Sequence, residues 1–421
     1  MNAPEPVVRD YLQLGLRMGR LVDGYVDCYF GEPAPARQVA DEPRPHPGEL
    51  AAEARRLLRE LDAGALEPDR SRFLAGQLRA VECCARRLDG AELPFVAELE
   101  ACFDVTVELG ETDRYAEVHD AMAALLPGAA PLAERLDAFR ARDSAARDRL
   151  GEAVGLVAAE LRTRARAAFP LPEAEGTEFT VVTDAPWNAF NDYRGDFRSH
   201  VSLNAAGAHG LSAVPILATH EAYPGHHTER CVKEAHLVRV LGQAEHSITL
   251  VNTPQCLIAE GTAEQALEIL LDDQWGAWNT RLLAGIGIDI DGVTGARLWE
   301  LTRSLLGVRQ DAALLLHAHG AGEDDVVAYL RRWMLLDEVQ ARHTVRFLTH
   351  PLWRAYTTTY AEGSRLVGAW LAVAPPGTAR LRRYGRLLSE PLLPTQLRQE
   401  LTGARPDGRG TGSGQPRSRP A

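Results

Sequence analysis

Lysine is nearly absent: Lys233 is the single one, and every other of the 46 basic side chains is arginine. With the abundance of alanine, glycine and leucine, this reads as a base-composition bias, and no function is drawn from the arginines. Positive charge is also in deficit. Against 58 acidic side chains the formal charge is −12, which excludes a chain built as a whole to bind nucleic acid or an anionic membrane. Cysteine is scarce and unpatterned: Cys28, Cys83, Cys84, Cys102, Cys231 and Cys256 contain no C-x-x-C. That excludes a zinc knuckle or dithiol redox centre, and the adjacent Cys83 and Cys84 read as buried thiols on a helix. No apolar run reaches the roughly 18 residues of a membrane span. Residues 1–6 lack a basic region followed by an apolar one, so no secretory leader is expected and a reducing cytoplasm is the default location.

What is present is an ordinary globular composition, 45% apolar and 25% charged over 421 residues, enough for one large or two medium domains. Apolar residues recur at steps of three and four through residues 7–24 (Val7, Tyr11, Leu14, Met18, Leu21), the mark of an amphipathic helix. A proline-rich loop is expected over 31–47, and helices over 49–61, 70–88, 96–109 and 116–126. Residues 131–169 form one long helical pattern. The texture changes at Pro170. Pro170, Pro172 and Gly176 read as a linker, the β-branched 178–183 as a strand, 187–196 as a loop rich in Asn, Asp and aromatics, and the alternating 197–204 as a second strand. Helical pattern returns from about residue 211 to 401. Three parts are expected: a helical part over 1–169, a metal-site part over 170–402, and a disordered tail over 403–421, which is Gly, Pro, Arg and Ser with little apolar content. The fold class is mainly α with a small β element.

The chemistry concentrates in His220-Glu221-Ala222-Tyr223-Pro224-Gly225-His226-His227. A zinc hydrolase needs two or three neutral imidazoles or carboxylates on one ion, an open position for water, and a carboxylate to take that water's proton. The common solution places histidines at i and i+4 of one helix with Glu at i+1. Here i+4 is Pro224, and the next histidines fall at i+6 and i+7. On a straight helix i+7 lies about 10 Å along the axis, too far for two ligands of one ion. The motif therefore works only if the helix is interrupted. Pro224 removes an N–H and crowds the carbonyl of His220, and Gly225 opens backbone angles closed to other residues. Either His226 or His227 can then be the second imidazole. The apolar 211–219 segment would bury the helix start. A third ligand is expected from the apolar helix 257–271, where Glu260 precedes Gly261, whose missing side chain leaves room for a metal. Glu264, one turn on, would orient a ligand from behind. His317 and His319 are two apart, cannot share a helix face, and read as structural.

The combination H-E-A-Y-P-G-H-H followed by A-E-G-T-A-E resembles the bacterial domain of unknown function 885 family; Glu260 lies 40 residues after His220. That family looks like a relative of the gluzincin metallopeptidases, which are helical with a small sheet edging a deep cleft. Weaker likenesses run through 93–100, 359–363 and 391–394; Thr262, where the family prefers Trp, and the short chain depart from it. The resemblance implies His220, His226 and Glu260 as metal ligands with His227 in reserve, Glu221 as general base, and Tyr360 as hydrogen-bond donor to the oxyanion. It also implies that strand 197–204 runs along the cleft and pairs with an extended substrate, with His200 and Asn204 as contacts.

These features together point to a zinc-dependent hydrolase of the peptidase type, carboxypeptidase or oligopeptidase, acting on a peptide or small amide. Zn2+ is the expected cofactor, since a His, His, Glu set favours it. Two other readings stay open: a metal-dependent step on a small molecule in a biosynthetic pathway, and a helical interaction protein with a vestigial site.

Overall fold

The helical periodicity read from the sequence is realised in a computed structural model that describes residues 4–183, 188–205, 210–271 and 273–403. It is 67% helix and 7% strand. The chain starts with α1 (Pro6–Leu21), β1 (Val26–Tyr29), α2 (Pro33–Asp41), α3 (Pro47–Asp62), α4 (Pro68–Leu88) and α5 (Phe95–Phe103). It continues with α6 (Thr112–Leu125), α7 (Leu132–Asp143), α8 (Leu150–Ala168), β2 (Gly176–Val182), β3 (Ala189–Gly195), β4 (Arg198–Asn204), α9 (Val214–Glu221) and α10 (His226–Lys233). Then come β5 (Ile248–Leu250), α11 (Pro254–Leu270), α12 (Trp275–Ala284), α13 (Gly292–Arg303), α14 (Leu306–His317), α15 (Glu323–Met334), α16 (Glu338–Thr349), α17 (Thr357–Ala372), α18 (Thr378–Ser389) and α19 (Pro394–Thr402). Among the described residues no helix is long and apolar enough to cross a membrane. Trp187 and the expected tail beyond residue 403 lie outside the described residues.

Proline opens α1, α2, α3, α4, α11 and α19, where its fixed φ suits the first turn and its missing N–H costs nothing. This is why the expected proline-rich loop over 31–47 holds a helix: in α2 both Pro33 and Pro35 sit in the first turn. The pattern over 131–169 is two helices rather than one. Asp143 ends α7 because its carboxylate accepts from Ser212, at 3.1 Å from the backbone N–H and 2.6 Å from the hydroxyl, fastening the bend to the segment that leads into α9. Likewise α5 stops well before 109, at Asp104 with φ of 56°, whose carboxylate holds Thr395 and Arg398 of α19.

The expected loop over 187–196 contains β3. The three-stranded sheet has the order β2-β4-β3, with β2 parallel and β3 antiparallel to β4. Ser199, Val201 and Leu203 of β4 and Asn191 and Tyr193 of β3 are buried on the inner face, while His200 and Asn204 lie on the other. A two-stranded antiparallel pair joins β1 to β5. One large apolar core runs from Val7 of α1 to Leu397 of α19. A second joins the inner sheet face to α8, α9 and α12.

A close helix crossing brings α11 against α17. A Cβ on Gly261 would strike the backbone at Gly363, and one on Gly363 would lie 2.6 Å from the carbonyl oxygen of Leu257. Gly261 thus makes room for a neighbouring backbone, correcting the expectation that it makes room for a metal. Because that carbonyl cannot yield, Gly363→Ala is expected to lower unfolding free energy by about 1–3 kcal/mol, the usual cost of overpacking. A denaturant midpoint equal to that of the unsubstituted protein would show that the helices do not meet so closely.

Candidate metal centre

His220 and Glu221 close α9, and the chain then turns through 222–225 before α10 begins at His226. Glycine is required at 225, since any side chain would overlap the carbonyl oxygens of His220 and Thr219. The turn lies that close because Gly225 N–H donates to Thr219 at 2.8 Å. Two more carbonyls of the break also find partners. Glu221 O accepts from the Asn191 side chain at 2.6 Å, and Ala222 O accepts from the Thr228 hydroxyl at 2.9 Å and its N–H at 3.2 Å. The Tyr384 hydroxyl of α18 lies 3.3 Å from Pro224 O and 3.1 Å from Thr262 O, clamping the turn to α11.

The turn sets the His220 and His226 rings edge to face with centroids 4.8 Å apart, where a straight helix would separate them by about 9 Å along its axis. Glu260 of α11 joins them. One carboxylate oxygen is 3.4 Å from His220 Nε2 and the other 3.7 Å from His226 Nε2. One candidate ligand atom from each of the three lies within 4.8 Å of the others. Glu264 stands behind, 3.7 Å from His220 Nδ1. The Tyr356 hydroxyl donates to Glu260 at 2.8 Å. Tyr360, one turn along α17, packs its ring 5.7 Å from that of Tyr356.

The other residues expected at the site are placed differently. His227 is fully buried and turned away: its Nε2–H donates to Glu175 at 3.1 Å while the Ser199 hydroxyl donates to Nδ1 at 2.9 Å. Burial lowers its pKa despite the Glu175 hydrogen bond, so it stays neutral. Tyr223, Arg162 and Arg166 complete the ring around Glu175. His227 is therefore part of a structural network, correcting its expected place as reserve ligand. β4 is the central strand, paired on both edges, so it has no free backbone to offer an extended substrate. The strand beside Glu221 is β3. His200 bonds Thr180 and Arg194 on the outer face, and Asn204 shares that face, which corrects their expected position along a cleft. A cavity of about 530 Å³ lies elsewhere, lined by Tyr115, Arg303, Asp311 and Glu362 among others and by none of the cluster.

The cluster's electrostatics call for a cation. Glu221, Glu260 and Glu264 bring three carboxylates into the interior. Burial raises the pKa of Glu221 and of Glu264. At Glu260 burial is outweighed by the His220 and His226 imidazoles and the Tyr356 hydroxyl, which hold it near 2. At His220 burial is outweighed by Glu260, Glu221 and Glu264, which push it up to about 10. His226 Nδ1, Glu260 Oε2 and Glu264 Oε2 are buried with no hydrogen-bond partner, an arrangement that is costly unless another group supplies the missing interaction. Two imidazole nitrogens and a carboxylate oxygen are a donor set suited to zinc.

No protein-family model and no curated protein matches the chain. The fold is similar to that of a protein from Colwellia psychrerythraea described as a lipoprotein, with a TM-score of 0.53 and 15% identity, covering 84% of this chain and 66% of that one. This chain thus spans just under two thirds of that protein's length. A Shewanella oneidensis protein described as a lipoprotein of unknown function has a TM-score of 0.49 at 12% identity, covering 85% and 73%. Metallocarboxypeptidase 1 of Trypanosoma cruzi has a TM-score of 0.46 at 12% identity, covering 95% and 94%. The first likeness concerns the fold alone, and the other two are too distant to carry an argument.

Sequence reasoning missed Tyr356, Asn191, Tyr384 and Glu175. Tyr356 had a signal, since it lies one helical turn before Tyr360 and so on the same face. Removing its hydroxyl in Tyr356→Phe frees one Glu260 oxygen and is expected to weaken divalent-cation binding by about ten- to a hundredfold, with unchanged circular dichroism. Titration with a competing chelator checks this, and an unaltered affinity would remove Tyr356 from the site's support.

Proposed function

We propose that this chain is a zinc-dependent hydrolase of the peptidase type, acting on a peptide or small amide. One observation carries the assignment: His220, His226 and Glu260 converge in a buried, carboxylate-rich setting with Glu221 beside them. The H-E-x-x-P-G-H pattern and its likeness to the domain of unknown function 885 family support the same reading. Zinc held by His220, His226 and Glu260 would supply Lewis acidity to polarise a carbonyl and acidify water.

The chain's own residues divide the remaining work. Glu221, its pKa raised by burial, is the general base that takes a proton from the attacking water and delivers it to the leaving amine nitrogen. Tyr360 sits within the field of Glu221 and Glu260, and burial holds its phenol protonated well above the ordinary range. It is thus a donor available to the oxygen that gains charge as the carbonyl is attacked. Tyr356 holds one oxygen of Glu260, and Glu264 stands behind His220, so both fix ligand geometry without touching substrate.

Glu221→Gln keeps shape and removes the base. It is expected to bind zinc as the unsubstituted protein does and to lower kcat by about a hundred- to ten-thousandfold, measured by product release from a mixed library of short peptides. Retention of full kcat would overturn the assignment of Glu221.

A further inference from the structure

Away from the metal centre, the cavity of about 530 Å³ opens among residues of α6, α13, α14 and α17, within the size range of small-molecule sites. Leu109, Leu306 and Ala361 give its wall apolar surface, and Gln310, Asp311 and Glu362 give it buried polar groups. The charges of that wall do not balance. Each of its arginines already has a carboxylate: Arg114 lies 3.1 Å from Glu111, Arg303 2.6 Å from Glu268, and Arg365 2.6 Å from Glu362. Asp311 is only 1% exposed and has no cationic partner among the described residues. Its Oδ2 accepts from the hydroxyls of Tyr115 and Tyr329, each at 2.8 Å, and its Oδ1 accepts the Gly110 N–H, also at 2.8 Å. Three neutral donors thus fix the carboxylate and leave Oδ1 able to accept again. Beside it, Gln310 donates through Nε2 to Glu362 at 3.1 Å, while its Oε1 is buried with no partner. Glu108, exposed in the same wall, also has no ion-pair partner among the described residues. What the cavity lacks is positive charge and hydrogen-bond donors, and a buried carboxylate without a cation is costly.

We infer that this cavity is a binding site for an aliphatic amine of the diamine or polyamine type. One ammonium group sits against Asp311 and Gln310 and supplies the missing charge and donors. The alkyl chain lies on Leu109, Leu306 and Ala361, and Glu108 attracts a second ammonium. A directly ligated metal ion does not suit the wall, because among the described residues no three of its carboxylates converge on one point. The inference goes beyond the hydrolase reading and does not depend on it, since no residue of the metal cluster lines the cavity.

The test titrates putrescine and spermidine into the full chain by isothermal calorimetry at physiological salt, beside butanediol and succinate as neutral and anionic controls. At least one amine should bind with a single site per chain, and neither control should bind. Asp311→Asn, which keeps the shape and removes the charge, should weaken the amine by about ten- to a hundredfold, with unchanged circular dichroism. Ser304→Trp places a large side chain at an exposed position of the cavity wall and should abolish binding without altering Asp311; it decides alone if Asp311→Asn does not fold. His220→Ala and zinc-free protein should bind the amine as the unsubstituted protein does. No binding of either amine would overturn the inference. So would an affinity unchanged in a folded Asp311→Asn or in Ser304→Trp, the mark of diffuse attraction to a chain of formal charge −12. Binding lost in His220→Ala would place the amine at the metal centre instead and overturn it equally.

Discussion

At position 225 the chain folds back on the end of its own helix, so closely that the carbonyl oxygens of Thr219 and His220 occupy the space of any side chain. The pairing of the centre's two imidazoles follows from that contact. The contact ends α9 at Glu221, restarts the helix at His226, and converts a six-residue spacing into neighbouring imidazoles. Two exposed carbonyls of the break, those of Glu221 and Ala222, are met by Asn191 from the sheet and by Thr228 from the new helix. The interruption is thereby a satisfied structure rather than a frayed end.

A second close approach delivers the carboxylates. Gly261 and Gly363 let α11 and α17 meet backbone to backbone, which carries Glu260 to the histidines and Tyr356 to Glu260. Tyr384 ties α11 to the Pro-Gly turn from the other side. Three carboxylates and two imidazoles then share one interior space, and several of their polar atoms have no protein partner. Packing, not local propensity, imposes this concentration of charge, and a cation held by His220, His226 and Glu260 would answer it.

Much of this was legible in the sequence. The Pro-Gly break and the Glu260 turn could be read because they depend on local backbone chemistry and on helical period. The mainly helical class followed from periodicity, as did most helix positions. What failed depended on contacts across the chain. Nothing local distinguishes His226 from His227, and the choice is made by Glu175 and Ser199, which reach His227 from distant segments. The alternation of 197–204 identified a strand but not its neighbours, so its central place, fixed by β2 and β3, was hidden. Gly261 was seen as a gap, yet what fills it is a helix about a hundred residues away in the chain. The bend after Asp143 and the early end of α5 at Asp104 come from carboxylates binding remote partners, which override helical pattern.

The direct measure of the central claim is the metal content of untagged protein, purified without chelator and analysed by elemental mass spectrometry, beside His220→Ala and an outer-face control, His200→Ala. About one zinc per chain, retained in His200→Ala and lost in His220→Ala, is the expected result. A folded protein that binds no divalent metal even after zinc is added, or that keeps its full complement in His220→Ala, would contradict a metal centre at His220, His226 and Glu260.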